Sequence, residues 1–553
     1  MEGKVTFTPK SGGGRATAAL PEAASHIAAG HVTLGIELGS TRIKACLIDR
    51  YGAVLATGSS QWQDHLVNGH WSYALDAVWN GLQESVAQLK ATVETDFGTK
   101  LESFENFGVS AMMHGYLAFD QNGEQLAEFR TWRDTTTAAA ADKLTEAFGV
   151  NVPMRWSASH YFQAVLDNEP EVNDVNFLTT LAGYVHWQLT GEKVLGIGDA
   201  SGMFPCDEGT LDYDATCLEK LDALLADNGV NRHFKSLLPS IKVAGDDAGR
   251  ITEEGIRLLD PKGHLKAGAI CCAPEGDAGT GMVATNAVRP KTGNVSVGTS
   301  IFAMVVQENR LQNLHREIDP VMTPSGAPVS MVHCNNGAAE LSEWMEMFSE
   351  VAVAFGRQKI HDIDDVYSAI FTEALHGDPD AGGVLVYNYR AGEPVSGLAD
   401  GRPMLVRSSE SKLSLSNVVR ANLYSVFATL ALGMRTLDEE NVHVDFLQAH
   451  GGVFRTAAVG QRFLAAALNT PIKVAAQASE GGAWGIALLA LYAGTDTAQS
   501  LPDYLDATVF ADSDVPAREP AADDAAGFRT YLDRFEAGLK MQHVAAEVVP
   551  AQS

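Results

Sequence analysis

Short apolar runs rich in β-branched residues, separated by small polar turns, mark the first clear structural pattern of the chain. Val32–Leu38 (VTLGIEL) predicts a strand, Gly39-Ser40-Thr41 a turn, and Ile43–Ile48 (IKACLI) a second strand. After another turn, the stretch from Val54 predicts a third strand. Three short strands in direct succession predict an antiparallel meander at the start of a domain. Helical spacing of apolar residues follows over Ala77–Val93.

The pattern of strand, hydroxyl–glycine turn and strand returns about 260 residues later. Val295-Ser296-Val297 predicts a strand, Gly298-Thr299-Ser300 a turn, and Ile301–Val306 a further strand. Between the two copies, strand signals such as Phe107–Met113 alternate with helix signals such as Phe177–Leu189. Two copies of one design, about half a chain apart, predict two α/β domains that are built alike.

Length and composition agree with this division and exclude several classes of protein. A chain of 553 residues that is 46% hydrophobic is too long for one core. A formal net charge of −29 argues against nucleic acid or an anionic membrane as a partner. No apolar run reaches the roughly 18 residues of a membrane span, and the N-terminus lacks the pattern of a signal peptide. The six cysteines show no metal-ligand spacing and predict free thiols in a reducing cytoplasm.

The two hydroxyl–glycine turns are candidate phosphate sites. Glycine lets an anion approach closely, convergent backbone N–H groups form a nest for it, and Ser and Thr hydroxyls add donors. Lys44, on the strand that leaves the first turn, adds a positive charge. Either turn alone is explained as well by a plain hairpin. Together they favour two loops that grip one polyphosphate from opposite sides of a cleft, and the chain contains no P-loop motif as an alternative.

Two acidic residues stand out by position. Glu37 lies within an apolar strand, where burial of a carboxylate costs several kcal/mol unless it is paired. Hydrated Mg²⁺ would supply the partner, whereas an exposed edge position would need none. Asp277 follows the apolar stretch Ala269–Ala273 and is surrounded by glycines. It could accept a proton from a substrate hydroxyl at the carboxyl edge of the sheet, or it could equally serve as a helix N-cap.

Taken together, segments over about residues 31–510 resemble, in order, the motifs of the FGGY carbohydrate kinase family. They are Gly35–Lys44, Met113-His114-Gly115, Thr131–Asp134, Leu189–Glu192, Asp199–Gly202, Gly276-Asp277, Gly298–Ser300, Gly392-Glu393-Pro394, and Gly451-Gly452 with Glu480–Gly485. The resemblance implies a mixed α/β fold of two domains, of the duplicated actin/hexokinase-like (ribonuclease H-like) ATPase type. It also implies a catalytic cleft between the domains that closes on the substrates.

The resemblance further implies an ATP-dependent sugar kinase that uses ATP and Mg²⁺. Asp277 would deprotonate the terminal hydroxyl of the sugar for in-line attack on the γ-phosphorus, and it would hold Mg²⁺ through water together with Glu37. The implied sugar contacts, besides Asp277, are Met113, His114, Gly115, Trp132 and Asp134. The implied nucleotide contacts are Gly39, Ser40, Thr41, Lys44, Gly298, Thr299, Ser300, Gly451, Gly452, Gly481 and Gly482.

Several positions depart from the family pattern. Glu37 stands where the family has Asp, Met112 where Gln is usual, and Thr136 where Arg is usual, and the stretch Val419–Gly433 lacks the usual L-E-G. These departures indicate a divergent branch with its own sugar preference. The segment Met113-His114-Gly115 resembles the ketopentose kinases, and the length of 553 residues is closer to ribulokinases. L-ribulose is therefore the first expected substrate and D-xylulose the second.

Residues 1–30 are expected to form a flexible extension or a short helix that is not part of the core. An FGGY N-terminal domain over 31–288 would carry the sugar side and the first phosphate loop, a C-terminal domain over 289–510 the nucleotide side, and residues 511–553 a helical tail. Expected partners are a sugar and ATP, in the cytoplasm, without nucleic acid or membrane; a homodimer is left open. Two alternatives remain. An actin/Hsp70-like ATPase would share the turns but would not explain the Met-His-Gly and Asp277 segments. A catalytically inactive sugar or nucleotide sensor is suggested by Glu37.

Overall fold

The computed structural model describes residues 20–356, 363–456, 458–474, 481–511, 513 and 515–550. The α-helices are α1 Leu20–Ala29, α2 Leu75–Phe97, α3 Ala138–Phe148, α4 Ser157–Leu166, α5 Leu181–Thr190, α6 Ile197–Ala200, α7 Ala215–Asp227, α8 Glu253–Leu259, α9 Asp277–Ala284, α10 Ala339–Ala354, α11 Ile363–Glu373, α12 Leu415–Glu439, α13 Val459–Leu468, α14 Gly481–Ala493, α15 Leu501–Tyr504 and α16 Ala522–Val548.

The strands alternate with these helices, so the predicted mixed α/β class is confirmed. They are β1 Thr33–Leu38, β2 Arg42–Ile48, β3 Val54–Gln61, β4 His65–Val67, β5 His70–Ser72, β6 Asn106–Ala111, β7 Leu117–Phe119, β8 Phe177–Thr179, β9 Val194–Gly196, β10 Cys206–Asp207, β11 Asp212–Tyr213, β12 Ser240–Lys242, β13 Ile270–Cys271, β14 Glu275–Gly276, β15 Thr292–Val297, β16 Ile301–Val306, β17 Ile318–Met322, β18 Pro328–Cys334, β19 Leu385–Tyr387, β20 Met404–Val406, β21 Phe446–Gly451 and β22 Ile472–Lys473.

The described residues divide into two compact units that interleave along the chain. The first unit is formed from residues 1–288, 320–328 and 476–514. The second is formed from residues 289–319, 329–475 and 515–553. The first change of unit comes after residue 288. The segment that carries α14 belongs to the first unit, whereas the sequence division assigns it to the second domain. The helix is apolar around its whole circumference, and the elements that bury it, β1 and α9, belong to the first unit.

The central sheet of the first unit has the strand order β13–β6–β1–β2–β3. β1 to β3 form the predicted antiparallel meander, and β6 runs parallel to β1. Helix α14 lies so close to this sheet that a Cβ on Gly35 would come within 2.3 Å of the Ala483 carbonyl oxygen. On its other side, a Cβ on Gly485 would meet the Thr280 carbonyl oxygen at 2.0 Å. Glycine at these two positions therefore lets α14 pack between β1 and α9.

The second unit repeats the design of the first. Its central strands have the order β18–β16–β15–β21–β22. β15, β16 and β18 form an antiparallel meander, and β21 and β22 run parallel to β15. Most of helix α12 is buried in this unit, with Tyr424 in edge-to-face contact with Phe463 and Phe528. The predicted duplication of one α/β design is thus confirmed.

Two local predictions were wrong. Residues 1–19 lie outside the described part, and residues 20–29 form the short helix α1, which is part of the core and not outside it as expected. Ala23 and Ile27, one turn apart, are buried, and Ile27 packs into the core of the first unit. The predicted helix over Phe177–Leu189 begins instead as strand β8. The chain turns at Thr180, whose hydroxyl accepts the Gly183 N–H and caps α5.

Two predictions about the whole chain can also be compared with the structure. In the ranges that the structure describes, no helix combines the length and apolar character needed to cross a membrane. The six cysteines are buried, and no disulfide joins any of them. The predicted C-terminal tail is helical in α16, and this helix inserts Phe528, Tyr531 and Phe535 into the core of the second unit.

Candidate functional site

The first hydroxyl–glycine turn, Gly39-Ser40-Thr41, joins β1 to β2, and all three of its carbonyl oxygens accept hydrogen bonds. Trp62 Nε1 donates to the Gly39 carbonyl at 2.7 Å, and Tyr73 Oη donates to the Ser40 carbonyl at 2.6 Å. The backbone N–H of Trp62 donates to the Thr41 carbonyl at 3.3 Å. Because C=O and N–H point in opposite directions across a trans peptide, the N–H groups of Ser40 and Thr41 are directed away from these donors. Such an arrangement suits an anion.

The second turn, Gly298-Thr299-Ser300, has the same arrangement within the second unit. The N–H of Ala338 donates to the Gly298 carbonyl at 2.8 Å, and that of Gly337 donates to the Thr299 carbonyl at 2.7 Å. The Gly298 N–H donates to the Ser300 carbonyl at 2.9 Å and closes the turn. The carbonyl oxygens are again fixed, and the N–H groups of Thr299 and Ser300 are directed the opposite way.

The remaining predicted nucleotide glycines lie in different units. Gly451 ends β21 directly opposite Val297, so it lies beside the second turn. Glycine is required at this position because its φ is 124° and an added Cβ would lie 2.0 Å from the Val297 carbonyl oxygen. The adjacent Gly452 is exposed, with open space around its Cα. Gly481 and Gly482 lie in the first unit, at the start of α14.

Glu37, near the end of β1, places its carboxylate at the N-terminus of α14. The backbone N–H groups of Gly482 and Ala483 hydrogen-bond to it, and Lys44 Nζ lies 3.9 Å from its Oε2. A Cβ on Gly482 would come within 2.5 Å of Oε1. Burial raises the pKa of Glu37 to about 7, the Lys44 charge opposes this, and the nearby Asp277 carboxylate adds to it. The acid is therefore neither isolated nor at a free edge.

Asp277 is the first residue of α9, and the N-cap position belongs to Gly276. Strand β14 runs parallel to β6 with Gly276 opposite Ala111, so both segments leave the sheet side by side. Asp277 Oδ1 consequently accepts a hydrogen bond from the Met113 N–H at 3.0 Å. Burial raises the pKa of Asp277 to about 6, although the N–H groups of Met113 and Ala278 lower it. A half-buried carboxyl with a pKa close to neutral suits proton transfer.

Two further buried carboxyls stand near Asp277. Glu275 accepts the N–H groups of Gly198 at 3.3 Å and of Asp199 at 2.9 Å, and Asp199 Oδ2 accepts the Thr180 hydroxyl at 2.6 Å. Burial raises the pKa of Asp199 to about 7, with Asp277 adding to the effect. Burial raises the pKa of Glu275 to about 8, with Asp199 adding to it. Asp277 is therefore the carboxyl of this row that ionises most readily.

The predicted sugar segment, Met113-His114-Gly115, has an unusual backbone. His114 has a φ of 71° and Gly115 a φ of 101°. A Cβ on Gly115 would meet the Arg130 carbonyl oxygen at 2.9 Å, so glycine is needed there. His114 Nδ1 lies 3.1 Å from the Gly202 carbonyl oxygen, and the side chains of Met113 and His114 are buried. A non-glycine residue held in the left-handed region is a common feature of functional sites.

Trp132 and Asp134 have very different surroundings. Trp132 is 37% exposed, whereas Asp134 is 2% exposed. Asp134 Oδ2 lies 2.5 Å from His70 Nδ1, and Oδ1 accepts the Thr136 N–H at 2.9 Å and its hydroxyl at 2.6 Å. Although burial opposes it, these hydrogen bonds lower the pKa of Asp134. Thr136, which stands where the resemblance leads one to expect Arg, thus holds Asp134 ionised and in place.

Several residues that shape these sites belong to no recognisable sequence motif. They are the partners of the predicted residues rather than members of motifs: Trp62, Tyr73, His70, Thr180 and Glu275. Only Glu275 carried a signal, because it lies two residues before Asp277 in the same glycine-rich segment. The others are separated from their partners by 19 to 64 residues, so that only the fold brings them together.

The acids of the first unit fit a hydrated divalent cation. In the described ranges, no three His, Cys, Asp or Glu side chains gather as they would in an all-protein metal cage. Mg²⁺ usually keeps several waters and binds through one or two carboxylates together with substrate phosphates. Glu37 and Asp277 are such a pair, since the charge of Asp277 raises the pKa of Glu37.

Comparison with known proteins shows which family the chain belongs to. Residues 32–259 match the sequence model for the N-terminal domain of the FGGY family of carbohydrate kinases, and residues 293–494 match that for its C-terminal domain. A xylulose kinase from Lactococcus lactis is 23% identical over 283 residues, which are 48% of this chain and 52% of that protein. A glycerol kinase from Thermococcus kodakarensis is 22% identical over 237 residues, 40% of this chain and 44% of that one. The matches thus span about half the length of these relatives.

Solved structures extend the likeness to nearly the whole chain. A crystal structure described as a xyloylose kinase, from Brucella ovis, superimposes with a TM-score of 0.74 at 19% identity. The superposition covers 93% of this chain and 100% of that one. The duplicated actin/hexokinase-like fold that the sequence predicts is thereby confirmed.

Proposed function

Because the chain belongs to the FGGY family of carbohydrate kinases, we propose that it transfers the γ-phosphoryl group of ATP to a hydroxyl group of a sugar. The single observation that supports this most directly is the Asp277 carboxyl. It is half-buried, it is oriented by the Met113 N–H, and its pKa is about 6. It therefore combines a fixed position with a pKa just below neutral, as a general base requires.

In the proposed reaction, the terminal hydroxyl oxygen of the sugar attacks the γ-phosphorus in line with the leaving oxygen. As the new P–O bond forms, the bond to the bridging oxygen breaks, and ADP leaves with that electron pair. The hydroxyl proton passes to the Asp277 carboxylate. At pH 7 this carboxyl is mostly ionised, whereas the pKa of Glu275, about 8, keeps that neighbour mostly protonated. The difference favours Asp277 as the acceptor.

The phosphates would be held by the N–H groups of the two hydroxyl–glycine turns, with the charge of Lys44 beside the first. Glu37 and Asp277 would hold Mg²⁺ through water, and the bound ion would neutralise charge that develops on the phosphates. Gly451 and Gly452 are proposed as nucleotide contacts. Gly481 and Gly482 are proposed as nucleotide contacts as well. Because they lie close to Glu37, we propose that they also help to hold its carboxylate in place.

The sugar is proposed to be a pentulose. The relatives named xylulose kinase support D-xylulose, whereas the length of the chain favours L-ribulose. Contacts to the sugar are proposed for the side of the first unit next to Asp277, through Met113, His114, Gly115, Trp132 and Asp134. The buried, ionised Asp134 can accept hydrogen bonds from sugar hydroxyls, and the exposed Trp132 ring offers an apolar surface to the carbon skeleton.

A coupled ADP-release assay over a panel of sugars tests the proposal. The panel contains D-xylulose, L-ribulose, other ketoses, aldopentoses, glycerol and gluconate, each with ATP and Mg²⁺. We expect ADP release that depends on sugar and is fastest with one of the two pentuloses. ADP release at the same rate without sugar would indicate the actin/Hsp70-like ATPase instead. Binding of a sugar without any turnover would indicate the inactive sensor.

A further inference from the structure

Three fully buried aromatic side chains of the first unit carry polar atoms that have no hydrogen-bond partner among the described residues. They are Tyr116 Oη, Trp156 Nε1, and both ring nitrogens of His160. Buried polar atoms are nearly always satisfied in folded proteins, by the protein itself, by water or by a ligand. These four atoms therefore indicate that something other than the chain completes their hydrogen bonding.

Tyr116, Trp156 and His160 define one buried compartment. Trp156 is the N-cap residue of α4, and His160 lies four residues later, with its N–H donating to the Trp156 carbonyl at 3.1 Å. The ring of Tyr116 lies 5.8 Å from that of His160, centroid to centroid, at an angle of 33°. The guanidinium of Arg130 lies over the Tyr116 ring, 5.2 Å from its centroid, and its Nη2 donates to Glu169 at 2.6 Å.

The compartment adjoins the segment that orients Asp277. The Gly115 N–H donates to the Arg155 carbonyl at 3.2 Å, and the Ser157 hydroxyl donates to the Gly115 carbonyl at 2.5 Å. The start of α4 is therefore bonded to the middle of the sugar segment. Met113 donates its N–H to Asp277, and Tyr116 follows Met113 by three residues. The two residues are therefore separated by at most about 10 Å of chain. This is the length scale of a small sugar.

The electrostatics suit neutral hydroxyl groups. Burial lowers the pKa of His160 to about 3, so that its imidazole is neutral and offers one donor and one acceptor. The charged groups that act on it are Asp134, Arg130 and His70, and Asp134 is already bonded to His70 and Thr136. A hydroxyl group is also both donor and acceptor, and it can pair with an imidazole, a phenol and an indole N–H together. The charge of Arg130 is already offset by Glu169, and its Nε–H, which has no partner among the described residues, adds one more donor for a hydroxyl oxygen.

We propose that His160, Tyr116 and Trp156 form the part of the sugar site that binds the hydroxyl groups remote from the one that is phosphorylated. This inference rests on the proposed kinase function. It assigns to the three residues the selection of substrate length: a five-carbon ketose reaches them, and a three-carbon polyol held at Asp277 does not.

The test uses Tyr116→Phe, which removes only the hydroxyl, and His160→Gln, which keeps a donor and an acceptor in a different shape. His186→Gln is the matched control, since His186 is equally buried, donates its Nε2–H to the Ala248 carbonyl at 2.9 Å, and lies on α5. Sugar affinity is measured by calorimetry without nucleotide, with the preferred pentulose and with glycerol. Melting temperature is measured with and without sugar, and the KM for ATP is determined where the enzyme turns over.

We expect Tyr116→Phe and His160→Gln to weaken pentulose binding by about tenfold or more, because a site built to bind hydroxyls loses a partner. Glycerol affinity and the KM for ATP should stay within about twofold of the wild type, and His186→Gln should change only the melting temperature. The inference is overturned if pentulose affinity is unchanged, whether the melting temperature rises or falls. A fall would mean that internal water alone satisfies these atoms. A wild-type protein that binds pentulose but never turns over would refute the kinase proposal and leave this assignment standing; one that binds no sugar would refute both.

Discussion

Replacement of Asp277 by Asn should make the protein inactive and, at neutral pH, more stable. The amide keeps an oxygen at the position of Oδ1, so the hydrogen bond from the Met113 N–H can remain and the local backbone need not move. What is lost is the ability to accept a proton. General-base catalysis contributes about 10²- to 10⁴-fold to a rate, so we expect kcat to fall by that factor while ATP still binds.

The gain in stability follows from the pKa of Asp277, which burial raises from 3.8 to about 6. A carboxyl whose pKa is raised in the folded state favours folding while it is protonated. This stabilisation is lost as the pH rises from the pKa of the unfolded state, 3.8, to that of the folded state, about 6. At pH 8 the ionised group therefore lowers the free energy of unfolding by about 3 kcal/mol, at roughly 1.4 kcal/mol per unit. The Asn variant removes this penalty. It also removes a charge that raises the pKa values of Glu37 and Asp199.

Two measurements check this prediction: sugar-dependent ADP release, and unfolding by denaturant at pH 8 and pH 5. The stability gained at pH 8 should shrink to roughly half at pH 5, where the wild-type group is mostly protonated in the folded state. Asp227→Asn, an exposed change of the same charge at the end of α7, serves as the control and should alter neither quantity much. Turnover within about tenfold of the wild type would refute Asp277 as the base. A loss of stability would refute the reasoning about its burial.

Three further predictions address other parts of the molecule. In the wild type, kcat/KM should fall about tenfold per pH unit below pH 6, the pKa of Asp277, and a flat profile down to pH 5 would exclude it as the titrating base. Glu37→Gln should raise the Mg²⁺ concentration needed for half-maximal activity by about tenfold, since only the charge is removed; an unchanged requirement would argue against a metal role. Asp524→Ala should lower the free energy of unfolding of the second unit by about 3–5 kcal/mol, because it leaves the guanidiniums of Arg420 and Arg462 without their buried partner. A change below about 1 kcal/mol, by denaturant titration, would contradict it.

The fold could be predicted from the sequence because the patterns that indicate it are local and occur twice. Apolar β-branched strands on either side of Gly39 and Gly298 predict two meanders without any knowledge of the rest of the chain. The assignment of α14 could not be made in this way. Its apolar residues run around the whole helix, so its sequence indicates burial but not which sheet buries it; the close approaches to Gly35 and Thr280 are visible only in three dimensions.

The site was predictable in its motif residues and not in the groups that position them. Asp277 and Glu37 were marked by an acid next to glycines and an acid within an apolar strand. Nothing in the sequence indicates that Glu37 receives the N–H groups of Gly482 and Ala483, which follow it by about 445 residues. Nor does a lone histidine such as His160 reveal that it is buried without a partner.

The late position of α14 in the chain has a consequence for how the protein is made. The first unit is nearly complete in sequence by residue 288, yet its sheet gains the helix that packs on Gly35 only when residues 481–493 have been synthesised. Until then, the nascent chain exposes an apolar face of β1 and β6 on the ribosome while most of the second unit, residues 289–319 and 329–475, is translated. The N-terminal half therefore cannot fold to completion as it emerges, and a shortened gene product that ends before α14 would present that uncovered face to chaperones and proteases.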